Sequence, residues 1–114
     1  MNQADKIEQV IIALHEYEQE YVAACKEIAE AEGAYRHERS LKYLQADGTI
    51  ADRNAEADVK VWDAHKRKLA AEATLAIMKA RMENCRNILS ARQSILSAQA
   101  KTGLAMDLHA MKQT

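Results

Sequence analysis

The run Gln45-Ala46-Asp47-Gly48-Thr49-Ile50-Ala51-Asp52-Arg53 decides the fold, because it is the one convincing break in a chain that otherwise reads as helix. Gly48 can adopt the left-handed backbone that closes a helix. Thr49, with Asp52 three residues on, forms a capping-box-like start for the next helix, Asp standing where Glu is usual. Two long helices joined by one tight turn follow: the first over about residues 4–46, the turn at 47–49, the second over about 50–101, and a short tail at 102–114.

Composition agrees with that reading. The 114 residues contain no Pro, no Phe and three Gly beside abundant Ala, Glu, Lys, Arg, Gln and Leu, as in an all-α single domain with few turns. The formal net charge of −1 gives no global pull toward nucleic acid, membrane or an acidic partner. Its distribution is more informative: residues 1–34 hold eight acidic and two basic side chains, whereas residues 73–114 hold two and six. Two cysteines are too few for a disulfide framework, no secretory pattern opens the chain, and no apolar run approaches the roughly 20 residues that span a bilayer. A cytoplasmic location is expected.

Before the turn, Ile7, Leu14, Tyr21, Ile28 and Tyr35 recur every seven residues, with Val10, Tyr17, Ala24 and Ala31 three places after the first four. This is a coiled-coil-like seam that runs on through Gly33. After the turn, Ala55, Val59, Trp62, Leu69, Ala73, Ile77, Ala80, Ile88, Ala91, Ile95 and Ala98 share a face at a spacing near 3.6, interrupted by Lys66 and Asn84. Thr102-Gly103 should break or kink the second helix. The two helices should pack antiparallel, with residue n opposite about residue 96 minus n by their fold-back near Gly48. Tyr35 then meets Trp62, Ile28 meets Leu69, and the Glu-rich first arm lies beside Lys66, Arg67, Lys68, Lys79 and Arg81.

A lone helical hairpin buries only one stripe on each helix, so a second hairpin is expected to complete a four-helix bundle as a homodimer. The second helix also outlasts the first. Its overhang carries Ile95, Leu96, Leu104, Leu108 and Met111, the leading candidates for an oligomer or partner interface.

Catalytic and metal signatures do not emerge. Cys25 and Cys85 fall about 21 Å apart along the hairpin and read as packing residues. His15, His37, His65 and His109 are scattered, none follows a Glu by three residues, and they read as solvated. No His-Glu-x-x-His, Gly-rich phosphate loop or nucleophile elbow occurs, so neither enzyme activity nor a cofactor is expected. Arg36, Arg39, Lys42, Arg53 and Lys60, near Tyr35 and Tyr43, are the candidate nucleic-acid contacts, although interleaved acids make a solvated face the plainer reading.

The run Tyr35-Arg36-x-x-Arg39-x-x-Lys42-Tyr43-Leu44-x-Ala46-x-Gly48-Thr49-x-Ala51-x-Arg53-x-Ala55, with Arg92-Gln93-Ser94-Ile95-x-Ser97-Ala98 later, resembles a widespread group of small phage- and prophage-encoded helical-hairpin proteins. The likeness spans roughly residues 10–100 and rests on turn and packing signals. It implies a phage accessory protein in a bacterial host cell and carries over no functional residue. Three functions are thus in view. The first is an adaptor or inhibitor acting by protein–protein interaction on a host or phage nucleic-acid-processing or defence machine. The others are a direct DNA- or RNA-binding accessory factor in replication or recombination, and an architectural or virion component.

Overall fold

A computed structural model describes residues 2–113, and the side chains of residues 2–112. The described chain is all-helical: α1 (Gln3–Gln45), α2 (Ile50–Lys60) and α3 (Trp62–Gln113). No helix is long and apolar enough to cross a membrane among the described residues.

The break between α1 and α2 forms as its residues dictate. Gly48 has φ +103°, and a Cβ there would lie 2.9 Å from Oδ2 of Asp52, so both backbone conformation and close approach demand glycine. The Thr49 hydroxyl accepts from the Asp52 N–H at 3.2 Å, and the Asp52 carboxylate accepts from the Thr49 N–H at 3.2 Å. This closed capping box starts α2. At the other end of α1, the Asn2 side chain caps by accepting from the Asp5 N–H at 2.8 Å.

Two helix boundaries differ from the sequence expectation. The helix expected over 50–101 is divided at Val61, whose φ of −103° and ψ of 18° leave the helical well. The hydrogen-bond ladder nonetheless crosses it, from Val61 N–H to Ala57 carbonyl at 3.1 Å and from His65 N–H to Val61 carbonyl at 2.9 Å. Nor does Thr102-Gly103 end the helix: α3 continues to Gln113. Gly103 costs about 1 kcal/mol relative to Ala, but it is flanked by strong helix formers. The Thr102 hydroxyl donates back to the Ala98 carbonyl at 2.9 Å, a bond made within a continuing helix.

The chain divides into two compact units, Gln19–Lys79 and the segments up to Glu18 and from Ala80. Within Gln19–Lys79, Arg39 pairs with Asp58, Tyr35 with His65, and Glu27 with Arg67, so partners step backward along α1 as they step forward along α2 and α3. The α1 side of this unit is the predicted seam: Ala24 and Ala31 are buried, and Tyr21, Ile28 and Tyr35 half-buried. In the unit holding the termini, the same seam continues as half-buried Ile7, Val10, Leu14 and Tyr17.

The facing seam is not the one expected. Ala57, Val61, Ala71 and Met78 are buried in Gln19–Lys79, with Lys68 and Leu75 half-buried, and Met82 and Cys85 are buried in the other unit, with Leu89 and Arg92 half-buried. Val61, Lys68, Leu75, Met82 and Leu89 are spaced by seven residues, a coiled-coil repeat rather than the straight-helix spacing near 3.6. The residues expected inward lie outside: Val59 is 76% exposed, Trp62 55%, Leu69 45% and Ile77 49%. Tyr35 accordingly meets the His65 ring, at 5.3 Å between centroids, in place of Trp62. Trp62 and Leu69 follow seam positions by one residue and are exposed, and Trp62 lies on the same His65 ring that Tyr35 meets.

Substituting the turn tests its role directly. Gly48→Ala is expected to lower unfolding free energy by about 1–3 kcal/mol through its positive φ. Thr49→Ala should cost about 0.5–2 kcal/mol through the lost cap. Both are read from urea unfolding followed by circular dichroism, and a neutral Gly48→Ala would contradict the strain.

Candidate functional site

The cations beside the turn come from both α1 and α2. Arg39 donates through Nε to Oδ1 of Asp58 at 2.9 Å and through Nη2 to Oδ1 of Asn54 at 3.1 Å. The Asp58 hydrogen bond holds the Arg39 pKa above its ordinary value. Lys60 pairs with Glu56 at 2.7 Å, one helical turn away. Arg53 lies over Tyr43, its guanidinium carbon 6.0 Å from the ring centroid, while Arg36 is exposed and Lys42 half-buried. The structure therefore brings Arg39, Arg53 and Tyr43 to one region, with Arg39 and Lys60 already facing carboxylates of their own chain. Exposed pairs of this kind are worth little in stability, but each lowers the positive field a phosphate backbone would meet.

Nor is the nearby aromatic surface open. Tyr35 is flanked by the His65 ring and by Lys68, whose Nζ is 5.2 Å from the Tyr35 centroid. His65, expected as a solvated histidine, is half-buried between Tyr35 and Trp62, with a 5.7 Å centroid separation from Trp62. The Tyr35 ring of α1 and the Trp62 ring one helical turn back cover it. Cys25 and Cys85 are free thiols, Cys25 half-buried and Cys85 buried. Among the described residues no group of three or more His, Cys, Asp or Glu could hold a metal ion.

The predicted interface residues lie on the last stretch of α3. From Gln93 to Lys112 every residue is exposed, including Ile95, Leu96, Leu104, Leu108 and Met111. Leu104, Leu108 and Met111 follow one another at helical-turn spacing and share one side of the helix. Lys101, Thr102, Ala105, Met106, His109 and Ala110 line a shallow depression of about 550 Å³ on the same stretch. Apolar surface here thus extends beyond a single stripe.

Sequence reasoning read one exposed apolar surface as core. Val59, Trp62, Leu69 and Ile77 form exposed apolar surface within Gln19–Lys79, and Ile88 and Ile95 do so in the other unit. The signal that separates them from the true seam is the strict repeat of seven running through Val61, Lys68 and Leu75, which is obscured by the lysine.

No protein-family model matches the chain, and neither a curated protein nor a solved structure matches it.

One ion pair joins the helices with fork-like geometry. Arg67 donates through Nε and Nη2 to the two carboxylate oxygens of Glu27, at 2.9 and 3.2 Å, with Glu30 at 4.0 Å. The Arg67 hydrogen bond holds the Glu27 carboxyl below its ordinary pKa, so this pair's contribution is fully present above the ordinary Glu value and fades as pH falls through the depressed folded one. Glu27→Gln should therefore be less stable than the native chain at pH 7, with the gap closing on acidification in paired thermal melts. A gap that stays constant down to pH 2 would contradict the assignment.

Proposed function

We propose that the chain is a non-enzymatic accessory protein, of the phage type its turn motif resembles, acting by protein–protein interaction. In this reading it is a helical hairpin that pairs with a second copy into a four-helix bundle. Its final helical stretch docks on a host or phage nucleic-acid-processing or defence machine as an adaptor or inhibitor. The observation that carries the reading is apolar side chains left in water: Trp62, Leu69 and Ile77, and then Leu104, Met106, Leu108 and Met111, are all at least 45% exposed.

Direct nucleic-acid binding has less support, since Arg39 and Lys60 are paired internally and Tyr35 is flanked.

Light scattering should give a mass twice the chain's 12.8 kDa, and Trp62→Ser with Leu69→Ser should halve it. Affinity capture from bacterial lysate should yield a stoichiometric protein that is lost on removal of residues 94–114. A monomeric mass together with identical captures by both chains would overturn the reading.

A further inference from the structure

A second surface lies where α1 and α3 meet in the unit that holds the termini. Lys6, Gln9 and Tyr17 of α1 and Arg81, Asn84 and Arg92 of α3 line a groove of about 330 Å³ between the two helices. Val10 and Ile88 add apolar walls. We infer that this groove is a receptor for a single carboxylate, an Asp or Glu side chain presented by a partner protein beside an apolar residue. The inference rests on the protein–protein reading above and deepens it by naming the chemistry recognised.

The charge of the lining is one-sided. All three ionic residues of the groove are cations and none of its lining residues is an acid, in a chain with 17 Asp and Glu against 16 Lys and Arg. Other cations of the chain take the nearby carboxylates: Arg86 pairs with Glu18 in this unit, and Arg67 with Glu27 in the other. Among the described residues no ion pair engages Lys6, Arg81 or Arg92. Three like charges facing one space repel one another until an anion enters, which makes the groove selective for negative charge.

Hydrogen-bonding capacity points the same way. Arg92 Nε is enclosed and has no acceptor within reach, so a donor is already desolvated and needs a partner. Arg81 is steadied over the Tyr17 ring, its guanidinium carbon 5.9 Å from the centroid. Guanidinium groups match a planar carboxylate by paired donation, and the Gln9 and Asn84 amides supply further donors.

A polyanionic tract fits less well. Asp5, Glu8 and Glu16 are exposed on α1 and Glu83 on α3, so successive phosphates would meet negative charge close to the groove. The Tyr17 ring is already covered on one side by Arg81, which reduces its value as a stacking platform for a base. An isolated carboxylate enters between these acids, and the Val10 and Ile88 walls accept its apolar neighbour.

The test uses the full chain, labelled with ¹⁵N, and capped peptides containing Leu-Glu-Leu or Leu-Gln-Leu, with inorganic phosphate and a single-stranded oligonucleotide as further probes. Binding of the Glu peptide should shift the Gln9 and Asn84 side-chain amides and the Arg81 and Arg92 Nε–H signals. The Gln peptide should bind at least tenfold more weakly. Arg81→Gln with Arg92→Gln should abolish the shifts while circular dichroism retains the native helicity, and Lys6→Gln alone should weaken binding severalfold. Equal response to Glu and Gln peptides, or tighter binding of phosphate or oligonucleotide than of the Glu peptide, would overturn the proposal. If light scattering finds a monomer but the Glu peptide binds at these residues, the groove stands and the dimer falls; the reverse result removes the groove alone.

Discussion

Everything in this chain depends on the reciprocal cap between Thr49 and Asp52, set immediately after a glycine with positive φ. A 43-residue helix has no intrinsic reason to stop where α1 stops. Gly48 can leave the helical well at little cost, Asp52 occupies the space a side chain on Gly48 would need, and the cap satisfies donors that would otherwise be exposed at the start of α2. With its start fixed there, the chain brings Asp58 to Arg39, His65 to Tyr35 and Arg67 to Glu27. The register of these contacts is a consequence of where one residue was allowed to turn.

The packed seam is held by small and adaptable side chains more than by bulky ones. Ala24, Ala31, Ala57 and Ala71 permit close approach of the helices, and Met78 and Met82 fill irregular space. Among the described residues, Val61 is the largest side chain that is fully buried. Lys68 lies in the seam with its aliphatic stem inward and its ammonium over Tyr35, so a charged residue occupies a position that a simpler coiled coil would give to Leu. Such a core is thin for its length. The larger apolar side chains, Trp62, Leu69, Leu104 and Met111 among them, are left exposed.

This division explains what could be read from the residues alone. The α1 seam was legible because its members are apolar and spaced by seven, and the turn was legible because Gly, Thr and Asp each have a specific local function there. The facing seam was hidden because Lys68 and Arg92 belong to it, whereas Val59, Trp62, Leu69, Ile77, Ile88 and Ile95 present a cleaner apolar pattern on surface positions. Hydrophobicity marks what should leave water, and does not say whether the covering surface comes from the same chain. The irregularity at Val61 carries no Gly or Pro, and the persistence of α3 through Gly103 reflects the strong helix formers around it. The groove between α1 and α3 could be found only once Lys6 was seen to share a space with Arg81 and Arg92.

The surfaces proposed for association all presuppose that the seven-residue seam is the inner face of α2 and α3, and a matched pair of valines tests this most directly. Val59 and Val61 are two residues apart, 76% and 1% exposed respectively, and the same substitution can be made at each. The unfolding midpoints of Val59→Asn and Val61→Asn in urea, measured by circular dichroism at equal protein concentration, should separate widely, with Val61→Asn strongly destabilised and Val59→Asn losing much less. Equal losses at both positions, or a larger loss at Val59, would show that the inner face has been assigned to the wrong side of the helix.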